Sequence, residues 1–167
     1  MSWNGVGRLH LCEGSLNAEG YIELLEEHLM PSIEKMEMTP RWIFQQDSAP
    51  CHTANIVKQW FKDNDVPVME WPAQSPDLNP IGTFFLAHAK SFSLFFASLY
   101  SSFTEPLWSY FKKKVHEHHP TSKADLWKWC QYEWERIPIE RVRRLCYDTY
   151  QRRLDAVIKS RGWPTKY

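Results

Sequence analysis

The chain has 167 residues with 20 basic and 20 acidic side chains, so one ordinary domain is expected and no net field of one sign draws it to a polyanion. A hydrophobic share of 43%, with 9 Trp, 7 Tyr and 9 Phe, suffices for a packed core and excludes disorder throughout. The charge is nonetheless divided: residues 1–81 hold 5 basic and 12 acidic residues, residues 82–167 hold 15 and 8. Two oppositely charged faces and a polyanion-contacting surface explain that division equally well.

In chain order, residues 6–12, VGRLHLC, alternate as a strand does. Asn17 is placed to cap a helix from about Ala18 to Lys35, in which Tyr21, Leu24, Leu25, His28 and Leu29 recur at helical spacing. Glu19, Glu23, Glu26 and Glu27 fall largely outside that face. A strand from Arg41 to Gln46 is halted by SAP at 48–50, a helix is expected from about Thr53 to Lys62, and VPVMEW at 66–71 reads as a short strand. Pro67 puts that strand at an edge or delays its start. The alternation of helix and strand argues for an α/β sheet rather than a bundle. WPAQSPDLNPI at 71–81 is a loop, because three prolines remove donors and restrict their neighbours.

Residues 83–104, TFFLAHAKSFSLFFASLYSSFT, differ in composition from everything around them, and their only formal charge is Lys90. The charge-free run 91–104 is too short and too rich in serine for a membrane span, so no stable membrane association is expected. Further on, Ser122 is placed to start a helix with Asp125 in its first turn, with Leu126, Trp127, Cys130 and Trp134 on its apolar face. A last helix should cover Ile139 to about Ser160 and end before Gly162 and Pro164.

Few residues advertise chemistry. Cys12, Cys51, Cys130 and Cys146 lack the paired spacings of a zinc site, and with no signal peptide at the start an intracellular chain with reduced thiols is expected. His116, His118 and His119 read as an exposed helix end, and the nine tryptophans as core or boundary residues. Asp47 stands where a strand gives way to a loop, a place where a carboxylate can face a site beyond a sheet edge but also where Asp serves ordinary turns. Lys112, Lys113 and Lys114, with Arg141, Arg144, Arg152 and Arg153, are candidates for sequence-independent phosphate contacts, surface solubility being the equal alternative.

Three separated pieces, IFQQDSAPCHTA at 43–54, WPAQSPDLNPI at 71–81 and RRLDAVIKSRGWPTKY at 152–167, resemble the catalytic domain of mariner-like DDE transposases. WNGVGRL at 3–9, GSLNAEGY at 14–21 and the helix near Ser122 fit as well. The resemblance implies an incomplete RNase H-like mixed sheet flanked by helices, spanning residues 1–167. It also implies acidic residues holding two Mg2+ or Mn2+ ions, DNA as partner, a possible homo-oligomer and a nuclear location. Asp47 matches the middle acid of the family's three. The third is expected at position 82, after the 34 residues 48–81, but Gly82 stands there. The expected continuation, an acid followed by Leu-Trp, reappears at Glu105, Leu107 and Trp108. Deleting residues 82–104 would restore the spacing, so this foreign stretch reads as an insertion or translated intron, with Glu105 as the third acid. The first acid and the DNA-binding region of the family lie upstream of the stretch matched by Ser2 to Gly5. The chain as written is therefore expected to be a catalytically incomplete transposase fragment, a non-catalytic nucleic-acid-binding or protein-interaction domain being the alternative.

Overall fold

The computed structural model describes residues 1–12, 14–72, 75, 78, 107–163 and 165. These fall into two compact units, residues 1–75 and residues 76–167.

In the first unit the organising element is α1 (Ala18–Lys35). Asn17 starts it as the sequence suggests: its side-chain oxygen accepts from the Gly20 N–H at 2.9 Å, satisfying one of the donors a helix start leaves open. Pro31 sits inside the helix, and having no N–H it leaves the Glu27 carbonyl without its usual donor. Tyr21, Leu25 and Leu29, one turn apart, are buried against Val57 and Phe61 of α3 (Asn55–Asp63) and against Val66. The helix expected near 53–62 is in fact broken. A single turn, α2 (Pro50–Thr53), precedes α3, and Ala54 between them is extended at ψ 144°.

The expected mixed α/β sheet is not formed. Among the described residues there is no strand, only two isolated bridges, Ser2 with Gly5 and Phe44 with Val68, the latter parallel. Phe44 makes both bonds of its bridge, donating to Pro67 O at 2.7 Å and accepting from Met69 N–H at 2.8 Å. The next rung toward Trp42 would need an N–H from residue 67, and proline has none. The pairing stops for a covalent reason. Residues 41–46 still alternate between exposed and half-buried, so the period-2 pattern is present without a ladder to use it. Segment 6–12 likewise makes no ladder. It rests on α1 through Gly7, which is buried, and through the Arg8 N–H, which donates to Ser32 Oγ at 2.9 Å.

The described part of the second unit is built from helices: α4 (Leu107–His116), α5 (Lys123–Glu135), α6 (Ile139–Arg144) and α7 (Tyr150–Lys159), the last two joined by a π-helical turn at Leu145–Thr149. Leu107, Phe111 and Val115 form the buried face of α4. Trp134 of α5 stacks on Trp108 at 5.8 Å and meets Phe111 edge-on at 5.4 Å, the geometry that ring quadrupoles favour. Ser122 caps α5 by accepting from Asp125 N–H at 3.1 Å, while Asp125 accepts from Thr121 N–H at 3.2 Å. The last helical run ends as expected, with Gly162 in the left-handed region at φ +83°. No helix among the described residues is long and apolar enough to cross a membrane. The expectations placed on 82–104, and on Gly82 and Glu105 with them, lie outside the described residues.

Candidate active-site groove

Asp47 lies just past the Phe44 bridge, where the chain leaves extended geometry and enters α2. Its Oδ1 accepts from the Ala49 N–H at 3.1 Å and from His52 Nδ1–H at 2.7 Å. An ionised carboxylate can only accept, so the proton of the second bond belongs to His52 Nδ1. Pro50 at the first position of α2 presets the turn that brings His52 back over Asp47. The Asp47 side chain remains 59% exposed. One oxygen is thus fixed by two donors, and among the described residues no hydrogen bond to the other is seen.

Behind this pair lies a side-chain relay. The Tyr21 hydroxyl donates to Gln46 Oε1 at 2.8 Å, and Gln46 Nε2 donates to the His52 carbonyl at 3.2 Å. The Tyr21 ring also lies 4.3 Å from that of His52. Burial, followed by the nearby Cys51 and Asp47, pushes the Tyr21 phenol well above its ordinary range, so it stays a neutral donor. Beside the pair opens a groove of about 540 Å³, lined among others by Lys58, Lys62, Glu70 and Trp71.

The family's metal chemistry needs converging carboxylates. Asp47 offers one, a hard oxygen donor suited to Mg2+ or Mn2+, but it belongs to no group of three metal-ligating side chains among the described residues. These residues alone therefore do not make a two-metal centre. Glu105 lies outside them. The one group of three is His10, Glu27 and His28, which the sequence reading did not single out as ligands.

The basic residues divide. Lys113, Arg144 and Arg152 are exposed, and Lys112, Lys114 and Arg141 are half-buried. Burial lowers the Lys112 ammonium, whereas a 2.7 Å bond to Glu117 raises that of Lys114. The Arg141 guanidinium lies over the Tyr110 ring at 4.1 Å. Arg153 is 3% exposed and is part of the interior. His118, expected at an exposed helix end, is half-buried, stacks on Trp129 at 3.7 Å and bonds Glu133 at 2.7 Å. Trp3 and Trp163 are exposed and Trp134 is buried, so the tryptophans are not uniformly interior.

Residues 1–98 match the family model described as DDE superfamily endonuclease. The Tcb1 transposase of Caenorhabditis briggsae is 29% identical over 162 residues, 97% of this chain and 50% of that protein. The Tc1 transposase of Caenorhabditis elegans is 30% identical over 126 residues, 75% of this chain and 37% of that protein. The chain thus spans about half the length, or less, of these relatives. The backbone follows that of the Mos1 mariner transposase catalytic domain with a TM-score of 0.68 at 21% identity, covering 98% of this chain and 72% of that one. A Mos1 catalytic domain with Raltegravir and Mn gives 0.67 at 22%, covering 98% and 73%. The chain belongs to the DDE superfamily endonucleases, among the mariner and Tc1-like transposases, and carries part of their catalytic domain.

Proposed function

We propose that these 167 residues derive from a transposase whose reaction is divalent-metal-dependent cleavage and strand transfer of DNA, in transposition and integration, acting in the nucleus. The observation that carries the reading is Asp47, held by two donors at a chain exit beside an open groove, in the motif that matches the family's middle acid. Mg2+ or Mn2+ is the cofactor this reading requires. Mos1 catalytic domains have been seen with each, and Mos1 also forms paired-end complexes. A bound pair of such ions would orient attacking and leaving oxygens. Glu105 is the proposed third acid, brought into register if residues 82–104 are an insertion in a single catalytic domain. Lys112, Lys113, Lys114, Arg141, Arg144 and Arg152 are proposed to contact phosphate, and Arg153 is left out because it is buried. A homo-oligomer on DNA is part of the same proposal.

Because the family's metal chemistry needs converging carboxylates and the resemblance supplies only Asp47 and Glu105 for them, the 167 residues by themselves are expected not to nick DNA with either metal, even after deletion of 82–104. The test compares that deletion variant with one to which the coding sequence upstream in its genomic locus has been rejoined, each given the element's terminal repeats. Cleavage is expected only in the rejoined protein and should vanish on Asp47→Ala or Glu105→Ala. Robust cleavage by the 167 residues alone, lost on either substitution, would overturn the incompleteness. Retained activity in the rejoined Asp47→Ala protein would overturn the assignment of Asp47.

The exposed Lys113, Arg144 and Arg152 favour a second reading, a non-catalytic nucleic-acid-binding domain. It predicts weak duplex binding that falls with salt and has no sequence preference. Titration of labelled duplexes at several salt concentrations tests it, and binding indifferent to salt would sink it.

A further inference from the structure

Away from the Asp47 groove, three side chains of the acidic half converge. His28 lies seven residues beyond Tyr21 on α1, roughly 10 Å along the helix axis. Its Nε2 is 2.8 Å from His10 Nδ1 of segment 6–12, and the two ring centroids are 4.8 Å apart. Glu27 Oε2 lies 3.7 Å from the same His28 nitrogen. One ligand atom from each of the three falls within 4.8 Å of the others, and no other group of three or more such residues occurs among the described residues. The neighbouring Glu26 is occupied elsewhere, accepting from Trp60 Nε1–H at 3.0 Å.

We propose that His10, Glu27 and His28 bind a divalent transition-metal ion of the zinc class, a site independent of the reading of Asp47. Two imidazoles and one carboxylate are a donor set that suits Zn2+ in a three-ligand site with water in the fourth position. The same set is poor for Mg2+, which takes oxygen ligands in a near-octahedral shell. Ligands about 2.0–2.1 Å from a tetrahedral ion sit roughly 3.3 Å apart; the 2.8 and 3.7 Å separations bracket that value, and the third, within 4.8 Å, has at most about 1.5 Å to close. Small side-chain shifts convert the hydrogen-bonded pair into a coordinating one.

The proton balance is simple. In the metal-free pair one facing nitrogen carries the proton of the hydrogen bond. Coordination needs both facing nitrogens bare, so each neutral ring keeps its proton on the far nitrogen, His10 Nε2 and His28 Nδ1. His28 Nδ1 is buried with no hydrogen-bond partner among the described residues, so this tautomer carries a cost that holds the affinity below that of a fully supported structural site. The gain is a cross-link over 18 residues, tying segment 6–12 to α1 where no ladder holds it.

Zinc is titrated into the full 167-residue chain in competition with a chromophoric chelator, with Co2+ as a spectroscopic substitute. The background is Cys12→Ser, because the exposed Cys12 is two residues from His10 and thiolates take zinc. One zinc per chain is expected, unaffected by excess Mg2+, and Co2+ should give the visible bands of a four-coordinate ion. His10→Ala should weaken zinc binding about tenfold or more and remove the Co2+ bands. His10 and Glu27 are both exposed, so Glu27→Gln carries the same test should His10→Ala misfold. Absence of zinc binding in the parent chain, its loss on Cys12→Ser, or unchanged affinity in these variants would overturn the site.

Discussion

The two units solve the same problem by opposite means. The second is built from helices over 107–159 of its described part, so each described element closes most of its backbone hydrogen bonds within itself, and its buried residues include the series Leu107, Phe111 and Val115, with Phe111 edge-on to Trp134. The first, 1–75, contains segments that make no ladder, and it replaces main-chain pairing with single side-chain tethers. Arg8 N–H is tied to Ser32 Oγ, Gln46 joins Tyr21 to His52, and His10 meets His28. Both units have a packed interior, but the first adds to its cluster of Tyr21, Leu25, Leu29, Val57, Phe61 and Val66 a few polar points that hold its unladdered segments. Asp47, on which the proposed function rests, and the His10–His28 pair of the proposed zinc site lie among those points. A carboxylate held at a chain exit needs positioning from outside its own segment, which a self-satisfied helix does not supply.

The largest expected effect is in the helical unit. Phe111 is 4% exposed and meets both Trp108 and Trp134 edge-on, so Phe111→Ala should cost about 3–5 kcal/mol. Urea unfolding with hydrogen exchange along 107–116 and 123–135 measures it. A loss below about 1 kcal/mol would mean that the aromatic interior is not the unit's main support.

In the first unit the tether most sensitive to bulk is Gly7. A Cβ there would lie 2.8 Å from both Ser32 Cβ and Oγ, closer than real contacts allow. Gly7→Ala should cost about 1–3 kcal/mol and expose the Arg8 amide to rapid exchange, because the segment must lift from α1. Unchanged stability and exchange would show that segment 6–12 does not rest there.

How much of this was legible in the sequence follows from the range of the interactions. The caps at Asn17 and Ser122 and the buried faces of α1 and α5 are local and were readable as periodicity and end signals. The sheet was not, because pairing is non-local: a strand was expected at 41–46, yet Pro67, itself noticed as an edge signal, removes the donor that would extend the bridge toward Trp42. Asp47 was singled out by its place at a chain exit and, as an acid of the family's three, only through the family resemblance. His52 lies within the same motif, five residues on, but its role depends on a turn geometry that spacing alone does not give. The Tyr21–Gln46 bond spans 25 residues and the His10–His28 pair 18, beyond any local pattern. Arg153 was grouped with surface arginines by composition, whereas buried positions along that run fall at Val142, Leu145, Thr149 and Arg153 through the π-helical turn.

A smaller, pH-dependent effect distinguishes the second unit. Burial pushes the Cys130 thiol up from 9.0 to about 11. The folded state thus prefers the protonated thiol, and the associated stability is fully present below pH 9 and lost as pH rises from 9 through about 11. The loss should be about 1–2 kcal/mol, less than the full shift converts to because solvent partly screens the site. Denaturant melts across that range, compared with Cys130→Ala, isolate it. An identical pH slope in the variant would assign the loss to other groups.

The smallest expected stability change probes the tether nearest Asp47. Tyr21→Phe keeps the ring that packs in the interior and against His52, and removes only the hydroxyl that donates to Gln46. Gln46 is half-buried, so water can replace part of the lost bond, and the cost should be about 0.5–1.5 kcal/mol. The local consequence should exceed the global one. With its oxygen released, Gln46 no longer holds the His52 carbonyl in a fixed place, and the Nδ1–H bond from His52 to Asp47 loses its backing. The His52 ring resonances should therefore broaden or shift in Tyr21→Phe, while those of His118 in the helical unit stay where they are. A ring signal of His52 indistinguishable from the parent's would mean that α2 alone positions the Asp47 carboxylate. The first unit would then be more self-sufficient at this point than its dependence on cross-segment tethers implies.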